Sequence, residues 1–593
     1  MSETICQTMN YVFDTYSKLF CGDKEVICEE SFDYSNASDD ESLDRALIES
    51  KKILDLFYQN KFKETFDVCD SHKAHSLYHC HAKGFLTSLY ALLTLEKREI
   101  DIAKAALEET LVLCERKRRS KTLLENLADF IWQVDFNAFT DYEAHAELIY
   151  CECQVLYALL TFFGDQHFIS LIKGALRIRA ANQACKYTQE ILKHKSNWVT
   201  ERSRMQYESG VCNISGLFNL AISMLPTRVL KIISLAGFNG DRKLGEELLR
   251  RSTNLKDGLR YRISALCIMA FSMYADQIGG LQESDFELTK ELMKDLNAKF
   301  PTAIFVSLFS AKFNLMQGKV DNAINEFLNC INYQDSWKQI HHACRWDLAW
   351  AYAIKNEWEN AAKQVLILRE QCSYSPASNM FAYAAFKMMQ LEDSESINEL
   401  RNEIDDALRL VPNLKIRYAG KTIPQEKFLC TRAIQFVKSG NYEPLVALLE
   451  LFYVWNVLSL ITTKQTIEPF LQQIDEKLSK ANLSFDQIAC LLLTKGVLLR
   501  NLGCDNESMK CFETIVNYEN SIRDYTYLPP HAALELGITH FKCGNYEKSL
   551  IWIEKAKSNE AKFLNSTLLQ IRAHSVAKKI KRIQEMNETY THL

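Results

Sequence analysis

Lys438-Ser439-Gly440-Asn441-Tyr442-Glu443 and Lys542-Cys543-Gly544-Asn545-Tyr546-Glu547 are near copies of one turn, and the reading of that turn decides the fold. Looser copies stand at Gln317-Gly318-Lys319-Val320-Asp321 and Lys355-Asn356-Glu357-Trp358-Glu359. Each supplies Gly or Asn where the chain must take a positive φ, then a bulky side chain two residues on that folds back between two helices. A turn that recurs joins elements that recur, so the chain reads as a series of antiparallel helix pairs.

Working outward from these turns, the segments around them align. A unit starting at Ile304 puts Ala311 at the tight contact between its helices, Gly318 in the turn, Ala323 at the small position of the second helix and Phe327 one turn further on. The next starts near His342 and puts Ala349, Asn356, Trp358 and Ala361 at the matching places. Towards the C-terminus the pairs Gly496 with Gly503 and Gly537 with Gly544 repeat the pattern, and Pro529-Pro530 opens the last unit. Small residues recur where helix axes approach to about 8 to 10 Å, and large ones recur between them where space must be filled. The spacing is that of a tetratricopeptide repeat of about 34 residues with extra loop residues. The fold class expected is all-α: a tetratricopeptide-like helical-repeat solenoid with an irregular helical N-terminal half.

Composition agrees. The 593 residues include only 9 Pro and 19 Gly, far below the usual shares of about 5% and 7%, so helices are long and connections short. Seventy basic against 75 acidic residues give a formal charge of -5, which offers no global attraction for nucleic acid. The 19 cysteines form no CxxC pair and read as reduced thiols of a cytoplasmic protein. The start, Met1-Ser2-Glu3-Thr4-Ile5-Cys6, has no signal-peptide pattern. The apolar run Leu451 to Thr463 is 13 residues long, short of the roughly 20 that a membrane span needs.

Three regions follow. Residues 1–42 are rich in Asp, Glu, Ser and Asn, including Ser38-Asp39-Asp40-Glu41, and read as an acidic mobile tether. Residues 43–299 form a helical block that opens with one repeat-like hairpin, turning at Gln59-Asn60-Lys61-Phe62, and continues with longer helices over Leu77 to Thr94, Ile100 to Lys117 and Tyr142 to Phe163. Residues 300–593 are the repeat region.

Several stretches resemble one family in particular, the tetratricopeptide repeat protein 39 family, related to the fungal inclusion body clearance proteins. They are Phe168-Ile169-Ser170-Leu171-Ile172-Lys173-Gly174, Ser223-Met224-Leu225-Pro226-Thr227-Arg228 with Gly237-Phe238-Asn239-Gly240-Asp241-Arg242, Trp337-Lys338-Gln339-Ile340-His341-His342, and Tyr453-Val454-Trp455-Asn456. The resemblance implies a non-enzymatic scaffold, with links to lipid or sterol homeostasis, to lipid-droplet-assisted clearance of misfolded protein or to cilia. Nuclear or lipid-droplet association comes from it alone. It carries over no catalytic residue.

Sites of chemistry are sparse. There is no GxSxG elbow, GxxxxGK[ST] loop, HExxH or dinucleotide fingerprint, so no enzyme and no cofactor are expected. His79-Cys80-His81 and Cys151-Glu152-Cys153 contain metal-ligand types, but alternate residues on a helix diverge by about 200° and do not meet one ion. His341 and Cys344 share a helix face and read as core or groove lining. Arg116-Lys117-Arg118-Arg119 with Lys121, and Lys578-Lys579-Ile580-Lys581-Arg582, read either as helix surfaces or as binders of acidic lipid or an import receptor. The last residues, Thr591-His592-Leu593, fit a PDZ-domain ligand.

Binding is expected on the concave face, where first helices of stacked repeats present their outward positions. In the register above these are Lys312, Met316, Trp346, Trp350, Arg500, Asn501, Phe541 and Lys542, aromatic anchors beside cations. Leu308 and Lys312 occupy the slots where chaperone-binding repeats hold a carboxylate clamp, so that clamp is not expected. The expected function is a non-catalytic adaptor binding protein partners in this groove. The alternative is a peripheral membrane or lipid-surface protein using the apolar run near Leu451 to Ile461 or the basic runs.

Overall fold

The computed structural model describes residues 34, 37–119, 134–164, 168–223, 240–275, 286–391, 396–416, 422–440, 443–480, 483–558 and 563–591. Among the described residues every regular element is helical. The N-terminal block comprises α1 (Asp39–Tyr58), α2 (Phe62–His72), α3 (Leu77–Thr94), α4 (Lys97–Lys117), α5 (Asp141–Gly164), α6 (Phe168–His194), α7 (Glu201–Ser223), α8 (Arg242–Asn254), α9 (Tyr261–Ala270) and α10 (Phe286–Lys299). The repeat region begins with α11 (Ile304–Met316), α12 (Val320–Asn332), α13 (Lys338–Ile354), α14 (Trp358–Gln371), α15 (Pro376–Met388) and α16 (Ile397–Leu410). It continues with α17 (Pro424–Ser439), α18 (Pro444–Val454), α19 (Lys464–Leu478), α20 (Phe485–Asn501), α21 (Asp505–Asn517), α22 (Leu528–Lys542), α23 (Tyr546–Lys557) and α24 (Ser566–Thr591).

The turn chemistry is as expected. Gly318, Gly440, Gly503 and Gly544 have φ of 73°, 62°, 82° and 77°, and Asn60 and Asn356 have 63° and 61°. Ala311, Ala323, Phe327, Ala349 and Ala361 are all fully buried between helices. A Cβ at Gly544 would meet no neighbouring atom, whereas one at Gly318 would run into Thr463. Gly544→Val is therefore expected to cost about 1 to 2 kcal/mol from backbone strain alone, and Gly318→Ala more than Gly544→Ala. Thermal melts of these variants check the order, and equal stability of the two Ala variants would reject it.

The acidic stretch does not end where expected. Ser38 caps α1: its hydroxyl accepts from the Glu41 N–H at 3.4 Å, and the Glu41 carboxylate accepts from the Ser38 N–H at 3.2 Å. Asp39, Asp40 and Glu41 form the first turn, where negative charge meets the positive end of the helix dipole. Tyr34 is buried and donates to Glu49. Ser38 to Ser42 thus belong to the folded block. Residues 1–33 lie outside the described residues.

One apolar core runs from Ile53 in α1 to Ile580 in α24 and so crosses position 300 without a break. Among the described residues, three smaller cores fill the N-terminal block, one under α1, α3, α4 and α5, a second between α5, α6 and α7, and a small third one of Leu220, Leu249 and Phe271. The join between block and repeats is aromatic. Trp337, ahead of α13, stacks on Phe62 at 4.8 Å and meets Phe57, Phe305 and Tyr90 edge-on. Asn60, in the hairpin turn, donates to the Thr302 carbonyl and accepts from the Ile304 N–H. The first hairpin is thereby fastened to the start of α11.

The pairing expected around Lys438 to Glu443 is not formed as drawn. Gly440 ends α17 with the expected left-handed residue; Asn441 and Tyr442 lie outside the described residues. Beyond them, α18 packs against α15 and α20 instead of lying along α17. The reason is its composition. Leu445, Val446, Ala447, Leu448, Leu449, Leu451 and Phe452 leave no polar face for solvent, and every residue from Leu445 to Val454 is buried. A helix that is apolar all round has to sit inside.

Candidate functional site

The inner face of the array was the expected binding groove, and the chain itself occupies it. After α18, Trp455 and Asn456 turn the backbone, Asn456 taking φ 54°, and a 3-10 turn, Val457–Leu460, carries it on to Ile461. Phe452 meets Trp350 at 6.1 Å and Phe470 at 5.8 Å, and Trp455 packs edge-on against Trp346 at 4.9 Å. The segment leaves beside the α11–α12 turn, where Thr462 and Thr463 abut Gly318. Residues 444–461 thus form a central insert packed between the first helices of the repeats.

This location settles most of the expected groove residues. Lys312 is buried and donates to Asp347 at 2.6 Å, while Tyr274 donates to the other carboxylate oxygen at 2.8 Å. Trp350 is 2% exposed, and half-buried Trp346 meets both Trp350 and Trp455. Asn501 donates its amide to the Leu458 and Ile461 carbonyls, tying down the insert. Arg500 is buried against Glu535 at 2.7 Å. Met316 is half-buried against the core. Of the eight residues, then, Lys312, Trp346, Trp350, Arg500 and Asn501 hold the fold together and do not present a groove. Phe541, like Met316, is half-buried against the core, and Lys542 is exposed at the end of α22.

Charges inside the array are paired, as burial requires. Glu535 accepts from Arg500, Arg572 and Tyr453, whose hydroxyl also meets His531. Burial pushes the Glu535 carboxyl up, but Arg572 and Arg500 outweigh it and hold it far below the usual carboxylate range. Glu450, on the insert, accepts from Arg432 at 2.9 Å and from Tyr527 at 2.6 Å. Sequence reasoning missed both clusters, because their members stand up to 119 residues apart and nothing in the local pattern pairs them.

The histidine and cysteine clusters divide in the same way. His79 faces Glu49 and Tyr34, and His81 faces Glu152, which Arg260 grips with two hydrogen bonds. Cys151 meets Cys185 in one core while Cys153 lies in another. His341 bonds the Gln334 carbonyl, and Cys344 is fully buried. Of the first basic run, Lys117 pairs with Asp39, Arg118 with Glu147 and Glu115, and Arg119 lies over Phe139. Those three side chains are engaged by the fold; Lys121 lies outside the described residues.

Burial pushes His79, His81 and His145 down to about 4 and His531 to about 3. In the unfolded chain they take up protons near 6.5, so between pH 6.5 and 4 the unfolded state binds more protons and stability falls as the pH falls. The unfolding free energy is expected to drop steadily from pH 7 to pH 4.5, by several kcal/mol in all, and the melting temperature with it; a flat profile would remove these histidines from the balance.

With this geometry in hand, comparison with known proteins places the chain. The model of the Iml2/Tetratricopeptide repeat protein 39 family matches residues 51–502. The chain belongs to that family. Tetratricopeptide repeat protein ttc-39B of Caenorhabditis elegans is 28% identical over 556 residues, covering 92% of this chain and 94% of the worm protein. A structure search also pairs the chain with the yeast protein Tom70 at 12% identity, over 92% of this chain and 97% of that one, with a TM-score of 0.24; that likeness carries no argument here. Membership explains why Trp337 and Tyr453-Val454-Trp455-Asn456 carried the resemblance. The former joins hairpin to array and the latter closes the central insert.

Proposed function

We propose that this member of the Iml2/Tetratricopeptide repeat protein 39 family is a non-catalytic adaptor that binds protein partners at the C-terminal end of its repeat array. The observation that carries this reading is the central insert: with residues 444–461 filling the inner face, Lys542 is the expected groove residue left exposed, beside half-buried Phe541. By family resemblance, the pathways served are lipid or sterol homeostasis or lipid-droplet-linked clearance of misfolded protein, in the cytoplasm, the nucleus or at lipid droplets. The lipid-surface reading loses its first support, since Leu451 to Ile461 is interior, and no described helix is long and apolar enough to cross a membrane. The PDZ-type ending remains a separate proposal, since His592 and Leu593 lie outside the described residues.

The test is affinity purification with mass spectrometry, comparing the wild type with a Lys542→Glu/Lys579→Glu variant. A defined partner set lost while the melting temperature holds is the expected result. Identical partner sets would move the site elsewhere on the array.

A further inference from the structure

The C-terminal helix sets cations beside Phe541 that the fold does not neutralise. Lys579 Nζ lies 5.5 Å from the centre of the Phe541 ring, and Lys542 is the next residue along α22. Arg582 follows Lys579 by three residues on α24 and Lys578 by four, which places the three on adjoining parts of one helix surface. Among the described residues, none of Lys542, Lys578, Lys579 and Arg582 has a carboxylate within ion-pair distance; on this helix Glu585 lies by Lys581.

Of the carboxylates near this face, Asp505 acts on Lys542 and has no ion pair of its own among the described residues, and the others are committed. Glu535 is saturated by two arginines and a tyrosine, and Glu554 pairs with Lys557. Lys579 over the Phe541 ring, with Lys542 next to that ring in sequence and Lys578 and Arg582 near Lys579 on α24, stands out in a chain of net charge -5. Exposed as it is, Lys542 is still hemmed in: surrounding protein and then the charge of Arg500 push its ammonium down, against a smaller pull the other way from Glu535 and Asp505. The family model matches residues 51–502, and this surface lies beyond that match.

We propose that this face captures an acidic, extended segment of a partner protein, with its carboxylates against Lys542, Lys578, Lys579 and Arg582 and an apolar side chain on Phe541. The inference rests on the adaptor reading above. Complementary charge and a half-buried ring suit a peptide chain lying along α22 and α24. A flat anionic bilayer would meet the outermost cations and leave the ring between the helices uncovered.

The test uses the full chain and fluorescence polarisation with a labelled short peptide of Asp and Glu around one Leu, against the same peptide built of Asn and Gln. Saturable binding of the acidic peptide is expected, weakening with added salt and falling about tenfold or more in affinity in Lys542→Glu/Lys579→Glu. Lys542→Gln/Lys579→Gln serves if the reversal alters the circular dichroism spectrum. Equal affinity for both peptides, or no change in either variant, overturns the proposal. Flotation with phosphatidylserine vesicles that is lost in the same variants, without peptide binding, overturns it in favour of lipid. If partners are lost in the purification while the acidic peptide fails to bind, the adaptor reading stands and the acidic-segment inference falls.

Discussion

Glu535→Gln is expected to destabilise the C-terminal repeats by about 3 to 5 kcal/mol, the range found when one partner of a buried ion pair is removed. The substitution keeps the shape and takes away the charge. Arg500 and Arg572 then remain buried, 8% and 7% exposed, with no anion between them. Glutamine can still accept from Tyr453 at 2.9 Å, so the loss reports the electrostatic part of the cluster. Urea unfolding of the full chain, followed by hydrogen exchange in α20, α22 and α24, measures it. Glu554→Gln is the control: its pair with Lys557 lies at the surface, where such pairs contribute about 0 to 1 kcal/mol. If both variants unfold alike, the buried cluster does not have the role assigned to it.

Trp337→Ala is the second large effect, at about 3 to 5 kcal/mol. Its ring is 4% exposed and meets four other rings, from α1, α2, α3 and α11. Truncation leaves a cavity at the only aromatic cluster described between the first hairpin and the array, so residues 39–72 should exchange amide hydrogens faster while α20 to α24 stay protected. Uniform protection throughout would mean that the hairpin is held by other contacts. Trp358→Ala should cost less, because Trp358 is half-buried and stacks on Phe386 alone, at 6.4 Å.

Much of this architecture could be read from local pattern. Positive φ needs Gly or Asn, and close helix contacts need Ala or Gly, so Gly318, Asn356, Ala311 and Ala349 announce their places by residue type. Helix α3 was legible to the residue from its apolar spacing. The inward course of α18 was hidden by the same logic: Lys438 to Glu443 has the chemistry of a repeat turn, and nothing local says that the next helix leaves its neighbour. Its sequence, apolar but for Glu450, was the available signal, and it reads equally as a lipid-facing surface or an interior. The interior places of Lys312 and Arg500 were hidden for a related reason. Lys312 and Arg500 are cations at outward register positions, but their partners Asp347 and Glu535 lie 35 residues away, and register alone cannot foresee a tertiary ion pair.

The central insert also changes what kind of object the array is. In an open solenoid each unit touches only its neighbours, so stability adds up unit by unit and an end can be trimmed without disturbing the rest. Here residues 444–461 touch helices whose sequence positions run from α11 to α22, and Trp346 of α13 and Asn501 of α20 grip them from within that span. Long-range closure of this sort makes distant units melt together and delays folding until the insert has been synthesised and seated. Deleting α22 to α24 would uncover Tyr453 and Glu450 at the heart of the molecule, so the repeat region is cooperative in the manner of a globular domain and cannot be shortened one repeat at a time.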